Sequence, residues 1–179
     1  MTNHFPDPID LRILAHVQSR ARDAMADIAR SVGLSISAIN SRLKRLESAG
    51  VIAGYEARID PSAVGCDVLA YVFVVVPLDA ERAFRSWVAL RSEVLECHHV
   101  SGEWSYLVKL RTGSLDALEA FLDETKRRKF IARSHSMIKL ATVKETARLP
   151  IDLGPPAKSG DRRAARGSTR RKKSPAGRA

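Results

Sequence analysis

Hydrophobic positions recur at helical spacing through the first fifty residues and predict three helices. The apolar positions of the first helix share one face: Ile9, Ile13, Leu14 and Val17. Asp7 is expected to cap this helix, Pro8 suits the first helical position, and Asp10 falls in the first turn, where acids are favoured. The second helix begins near Ala24, with Asp23 as the expected cap.

The stretch Met25–Ala49 reads as two helices joined by a tight turn. Gly33 suits the turn because glycine accepts a positive φ. Ser35 is placed to cap the second helix of the pair, and Gly50 follows its end. The apolar positions keep helical spacing on both helices: Met25, Ile28 and Val32, then Ile36, Ile39, Leu43 and Leu46. A short helix, a glycine turn and a second helix are typical of a helix-turn-helix motif, here at residues 25–44.

The exposed face of the second of these helices carries short polar groups and cations but no acid from Ser35 to Leu46. Purely solvated faces usually alternate in charge sign, so this face favours DNA binding. Two amphipathic helices around a glycine also occur in proteins that never bind DNA, and that alternative stays open here. The predicted DNA contacts are Ser35, Ser37, Asn40, Ser41, Lys44 and Arg45.

Periodicity changes after Gly50, and strand patterns appear. Val51–Ile59 predicts a strand broken at Gly54, and residues 61–65 predict a linker. The elements that follow are a strand at Val68–Val76, a helix at Asp79–Arg91, strands at Val94–Ser101 and Trp104–Arg111, a helix at Ser114–Lys129 and a strand at His135–Val143. This βαββαβ order predicts a ferredoxin-like domain over residues 66–150. The fold class is therefore α+β, with a three-helix domain at residues 1–60.

In a ferredoxin-like fold the helices cover one face of the sheet and leave the other open. The side chains of Tyr71, Phe73 and Trp104 are candidates for that open face, and we expect self-association to cover it. The helix Ser114–Lys129 is expected to bury Leu115, Leu118, Phe121 and Leu122, with Ser114 as its cap.

Charge is concentrated at the end of the chain. The formal net charge is +10, and residues 154–179 hold nine Lys/Arg against one acid, so this segment alone carries +8. Residues 151–179 have too few apolar side chains to fold, and we expect a disordered basic tail that contacts nucleic acid phosphates. A role in solubility is the alternative. Two cysteines, no apolar leader and no long apolar run predict a cytoplasmic protein without membrane segments. Because DNA contacts are also predicted, we expect the protein to be nucleoid-associated.

Several short segments in the right order make the chain similar to one known family. They are Asp10 with Ile13-Leu14, Ile28-Ala29, residues 32–35, residues 42–47, Gly50-Val51-Ile52, Gly54-Tyr55, Glu96-Cys97-His98, Val100-Ser101-Gly102, Tyr106 and Lys109. Over about Ile9 to Glu145 the chain resembles the Lrp/AsnC (feast/famine) transcription regulators. The resemblance implies a helix-turn-helix domain, a ferredoxin-like domain that forms homodimers and often octamers, and small effectors, usually amino acids. It implies a sequence-specific regulator that binds double-stranded DNA and is not an enzyme.

The resemblance places the effector site at the turn between the second and third strands of the second domain. The implied effector residues are His99, Ser101, Gly102, Glu103, Trp104, Ser105, Leu115 and Met137. The family usually has an aspartate where this chain has Ser105, suited to an effector's ammonium group. A serine lacks that charge, so we expect weak binding of plain α-amino acids.

Two other functions are weighed against this one. The basic tail would also suit an architectural chromosome protein of low sequence preference, and relatives of this architecture include tetrapyrrole decarboxylases of the sirohaem type. No cofactor and no metal are expected. His98 and His99 are adjacent in a predicted strand, so their side chains point to opposite faces and cannot chelate one ion together.

Overall fold

The computed structural model describes residues 5–153. Most of the predicted basic tail, from residue 154 onward, lies outside the described residues. The helices are α1 (Pro8–Ser19), α2 (Met25–Val32), α3 (Ile36–Ser48), α4 (Glu81–Val88) and α5 (Leu115–Arg127), and a 3₁₀ turn spans Ser62–Val64. The strands are β1 (Val68–Val75), β2 (Val94–His99), β3 (Tyr106–Thr112) and β4 (Arg133–Ile138). No described helix is long and apolar enough to cross a membrane.

The chain divides into two compact units. The first runs from the N-terminus to Tyr55 and includes the stretch from Arg148 onward, and the second is Glu56–Ala147. The predicted linker at 61–65 contains only the 3₁₀ turn, which ends at Gly65 with φ +67°.

Helix α1 begins as predicted. The Asp7 carboxylate accepts hydrogen bonds from the amides of Ile9 and Asp10, both at 2.8 Å. The Asp10 carboxylate returns a bond by accepting from the Asp7 amide at 3.2 Å. This reciprocal arrangement is a capping box built from two aspartates.

The prediction that Asp23 caps α2 is wrong. The cap position is Ala24, which offers no side-chain hydrogen bond. The Asp23 carboxylate lies 2.9 Å from Nε2 of His16 on α1 instead. The Asp23 side chain is therefore bound to His16 on α1 and does not cap α2.

The three helices enclose the apolar core of the first unit. Ile13, Ile39 and Leu46 are fully buried. The turn prediction is confirmed, since Gly33 has φ +80° and Gly50 has φ +70°. Two predicted core positions at the ends of the stripes are not buried: Met25 is 39% exposed and Ile36 is 49% exposed. Each occupies the first turn of its helix, where the opposite helix no longer covers it.

The predicted strand at Val51–Ile59 is also wrong. In the described chain these residues pair with none of the four strands. The amides of Val51 and Ile52 donate to the Leu46 carbonyl at 2.9 and 3.1 Å, which closes the end of α3. A strand needs a hydrogen-bonding neighbour, and β-propensity alone does not supply one.

The second unit confirms the predicted ferredoxin-like domain. Its four strands form an antiparallel sheet in the order β2-β3-β1-β4. Alternate residues of β1 and β3 pack under α4 and α5, and these buried positions are Ala70, Val72, Val74, Tyr106, Val108 and Leu110. Ser114 caps α5 by accepting from the Ala117 amide at 3.1 Å. Leu115 was expected inside but is 56% exposed, because it lies in the first turn of α5.

Candidate functional site

The exposed face of α3 is arranged as the sequence predicts. All six predicted DNA-contact residues are exposed. The Ser35 hydroxyl accepts from the Ala38 amide at 3.3 Å and lies 3.1 Å from the Ser37 hydroxyl. Among the described residues, Lys44 has no acidic partner within ion-pair distance. The face therefore offers hydroxyl, amide and ammonium groups together.

A buried carboxylate anchors the other side of α3. The Asp10 side chain is fully buried, and Arg42 donates to it at 2.7 Å. Arg45 donates to both of its oxygens, at 3.1 and 2.9 Å. Arg42 also donates to Asp7 at 2.6 Å. These bonds tie the first turn of α1 to the last turns of α3.

The pKa of Asp10 reflects two opposing causes. Burial raises the pKa of this carboxyl, but the hydrogen bonds from Arg42 and from the Asp7 amide, with the charge of Arg45, bring it below its ordinary value. Asp10 is thus ionised at neutral pH and needs both guanidinium groups. The sequence alone did not reveal this network, although Asp10 lies three and seven residues before Ile13 and Val17, on the apolar stripe of α1.

Arg45 therefore has a structural partner as well as an exposed position. Its side chain is 45% exposed while its guanidinium contacts Asp10. The prediction that Arg45 contacts DNA stays a prediction. Only the part of the guanidinium turned away from Asp10 is available for such a contact.

At the turn between β2 and β3, Ser105 bonds to the main chain. Its hydroxyl accepts from the Val76 amide at 3.2 Å, and its own amide donates to the Val74 carbonyl at 2.9 Å. Gly102, within the turn, has φ +109°, which favours glycine. The Ser105 hydroxyl thus helps to hold the turn against the end of β1.

The neighbouring turn residues face the open side of the sheet. The centroids of the Trp104 and Phe73 rings lie 6.0 Å apart. The Arg133 guanidinium lies over the Trp104 ring, 4.4 Å from its centroid. Glu103 forms an ion pair with Arg133 at 2.6 Å. Met137, 44% exposed, pairs with Tyr71 in the sheet register and lies on this same face.

His99 lies on the helix-covered side instead. It pairs with Tyr106 in the sheet register, and the two rings stack at 4.9 Å. The Tyr106 hydroxyl is hydrogen-bonded to Arg85 and Glu81. Burial and the Glu81 bond raise the pKa of Tyr106, and the same bond lowers the pKa of Glu81. Arg85, His99 and Tyr106 border a cleft of about 570 Å³ between α4 and β2.

The predicted effector residues thus do not all lie on one face of the sheet. His99 lines the 570 Å³ cleft, and none of residues 101–105 does. Leu115 is exposed at the start of α5. A larger cleft of about 860 Å³ in the second unit has mixed charges along its wall, including Arg58, Glu93, Arg111 and Glu145. No sequence motif pointed to it. Within the described residues no group of His, Cys, Asp or Glu is placed to hold a metal ion.

Comparison with known families matches both halves of the chain. The model of the Lrp/AsnC ligand binding domain matches residues 69–149. A winged helix-turn-helix DNA-binding model matches residues 6–53. The two matches fall on the two sets of elements described above.

Curated relatives and solved structures agree with these matches. The chain is 34% identical to the HTH-type transcriptional regulator FL11 of Pyrococcus horikoshii over 145 residues, covering 81% of this chain and 96% of that protein. It is 38% identical to the regulator LrpA of Mycobacterium tuberculosis over 126 residues, covering 69% and 83%.

Two similar solved structures contain an amino acid. A Neisseria meningitidis transcriptional regulator in complex with L-methionine has a TM-score of 0.78 and 30% identity, covering 82% of this chain and 97% of that one. A feast or famine regulatory protein from M. tuberculosis, complexed with L-methionine, has a TM-score of 0.71 and 35% identity, covering 83% and 100%.

Proposed function

Because the chain belongs to the Lrp/AsnC family of transcriptional regulators, we propose that α3 reads specific DNA sequences and that a small effector acts through the second unit. The single observation that carries the DNA proposal is the stretch from Ser35 to Leu46, which includes no acid and whose exposed side chains, apart from Ile36, are polar or cationic. Its polar groups stand on a helix that Arg42 and Arg45 bind to the buried Asp10 carboxylate. A rigid helix presents its side chains at constant spacing to base edges in the major groove.

Different residues of this face have different roles in the proposal. Ser37, Asn40 and Ser41 are short enough and suitably polar to hydrogen-bond base edges or phosphates. Lys44 is a compact cation, which favours phosphate contact. Arg45 shares its guanidinium between Asp10 and the backbone of DNA. In this proposal base reading depends on Asn40 more than on the cations.

The test compares two alanine variants on target and random duplexes in a gel-shift titration at constant salt. Asn40→Ala should reduce the preference for target over random DNA, by about 1–3 kcal/mol if Asn40 reads a base. Lys44→Ala should weaken binding to both duplexes alike. The matched control is Arg82→Ala, which removes an exposed cation from the second unit. Operator binding that survives the double Asn40/Lys44 substitution would refute the role of α3.

The effector proposal rests on the relatives that bind L-methionine and on the chemistry of Ser105. We propose an amino acid or a related small molecule as the effector, bound at the turn between β2 and β3. The Ser105 hydroxyl already accepts a hydrogen bond from the Val76 amide. It has no charge to offer an ammonium group, so ordinary α-amino acids should bind weakly.

Self-association is proposed for the open face of the sheet. Tyr71, Phe73 and Trp104 are only partly covered there, and a second copy would bury them. A homodimer is the smallest assembly that does so, and the octamer expected from the family resemblance is the larger assembly we propose. The predicted effector residues are divided between two faces of the sheet. In the proposed assembly, residues of a neighbouring copy would complete the effector site.

We further propose that the protein works on DNA without enzymatic activity, in the cytoplasm and in association with the nucleoid. Residues 154–179, which lie outside the described residues, carry +8 of the formal charge. Such a segment would attract phosphates without reading sequence. Because of this charge, an architectural, low-specificity DNA-binding protein is the second candidate function. The ratio of the affinities for target and random DNA distinguishes it from a sequence-specific regulator.

A further inference from the structure

We infer that the six residues before the basic segment form a clamp on α1 that attaches this segment to the DNA-binding unit. We call residues 148–153 the C-terminal clamp. The inference deepens the proposed DNA-binding function and rests on it. Its partner is the sugar-phosphate backbone of duplex DNA next to the site that α3 occupies.

The clamp is bound to α1 by hydrogen bonds between the side chain of Gln18 and the main chain of Leu149. The Gln18 side-chain carbonyl accepts from the Leu149 amide at 2.7 Å, and the Gln18 side-chain amide donates to the Leu149 carbonyl at 3.3 Å. One amide side chain thereby satisfies both polar main-chain groups of a residue 131 positions away. The amide and carbonyl of Leu149 bond to the Gln18 side chain in the way that a strand residue bonds to its neighbour in a β-sheet. Two hydrogen bonds to one residue fix the orientation of the contact.

Neighbouring residues favour this arrangement. Pro150 follows Leu149, and a residue before proline is biased to extended backbone. Arg148 donates to the Ser19 carbonyl at 3.4 Å, at the last residue of α1. A cation at a helix C-terminus is favoured by the helix dipole. Two adjacent residues of the clamp thus bind the end of the same helix.

The helix that the clamp binds is itself packed into the DNA-binding unit. His16, two residues before Gln18, has its Nδ1 atom 3.0 Å from the Ser31 hydroxyl on α2. Asp10 on the same helix accepts hydrogen bonds from Arg42 and Arg45 of α3. The clamp therefore attaches the start of the basic segment to a helix that contacts both helices of the helix-turn-helix motif.

Charge gives the clamped segment its function. The described chain ends at Leu153, and the 26 residues that follow hold nine Lys/Arg and one acid. Fully extended, 26 residues span at most about 90 Å, so where the segment starts decides which phosphates it can reach. Fixing its start on α1 keeps these cations at high local concentration around the DNA bound by the same unit.

The test is a double-mutant cycle in the full-length chain. One substitution is Gln18→Ala, and the other replaces the nine Lys/Arg of residues 154–179 by glutamine. Dissociation constants are measured on target and random duplexes at several salt concentrations. With the cationic segment present, Gln18→Ala should weaken binding about two- to tenfold on both duplexes, which is the net range for one hydrogen bond, because only the bond from the Leu149 amide is short, at 2.7 Å. With the neutral segment, Gln18→Ala should have no effect.

Leu149→Ala is the matched control, because the contact uses the main chain of Leu149 and the side chain is 73% exposed. This variant should bind like the parent. Equal losses from Gln18→Ala in both backgrounds would overturn the inference, since Gln18 would then touch DNA itself. No loss in either background would overturn it as well. A parent chain that binds neither duplex would instead refute the proposed function. Circular dichroism of each variant checks that α1 is intact.

Discussion

The network of Asp10, Arg42 and Arg45 makes a quantitative prediction about the stability of the first unit. Arg42→Met keeps much of the side-chain volume and removes the charge. It leaves the buried Asp10 carboxylate with Arg45 at 2.9 Å and takes away the 2.7 Å bond from Arg42, together with the 2.6 Å bond from Arg42 to the more exposed Asp7. Removing one partner of a buried ion pair costs about 3–5 kcal/mol when nothing replaces it.

Two features of the site reduce this figure. Arg42 is 23% exposed, so solvent weakens its pairing, and Arg45 keeps part of the compensation. We therefore expect Arg42→Met to lower the free energy of unfolding by about 2–3 kcal/mol. Lys44→Met is the matched control on the same helix, and an exposed, unpaired lysine should change stability by no more than about 0.5 kcal/mol.

Urea denaturation followed by two probes shows whether the loss of stability occurs in the first structural unit. Both tryptophans, Trp87 and Trp104, lie in the second unit. Tryptophan fluorescence should therefore give an unchanged transition, while the ellipticity at 222 nm should lose helix at lower urea. An Arg42→Met transition that coincides with that of Lys44→Met would refute the reasoning.

The same comparison has a defined pH dependence. The pKa of Asp10 in the folded chain lies below its ordinary value near 3.8. The stabilisation is thus present above pH 3.8 and is lost as the pH falls through the lower folded value. The difference between the parent and Arg42→Met should shrink over that range. A difference that stays constant from neutral pH to pH 2 would exclude the buried carboxylate as its cause.

Two further predictions concern the second unit. Ser105→Asp should increase the affinity for L-methionine and other α-amino acids several-fold in calorimetry, because a carboxylate forms a charge-assisted bond to the ammonium group; unchanged affinity would show that another group binds it. Phe73→Glu should convert the proposed dimer to monomers in light scattering, since it places a charge on the open face of the sheet. The matched change Leu78→Glu, at an 88% exposed position, should leave the dimer intact. A dimer that survives Phe73→Glu would contradict the proposal that the open face is the dimer interface.

Local signals in the sequence determined the helices and the order of the strands. Asp7, Ser35 and Ser114 cap the helices for which they were predicted. Caps act on amides two or three residues away, so neighbouring residues contain the whole cause. The ferredoxin-like order is also readable, because alternation and helical spacing are properties of each segment.

Tertiary structure decided which polar side chains meet. Asp23 binds His16 rather than its own helix, and Val51–Ile59 forms no strand because it has no neighbour in the described chain. The pairing of Arg42 with Asp10 spans 32 positions, and that of Gln18 with Leu149 spans 131. A sequence marks an acid on an apolar stripe, but the choice of its partner depends on how the helices pack. That packing results from the whole core, and no single segment of the sequence contains it.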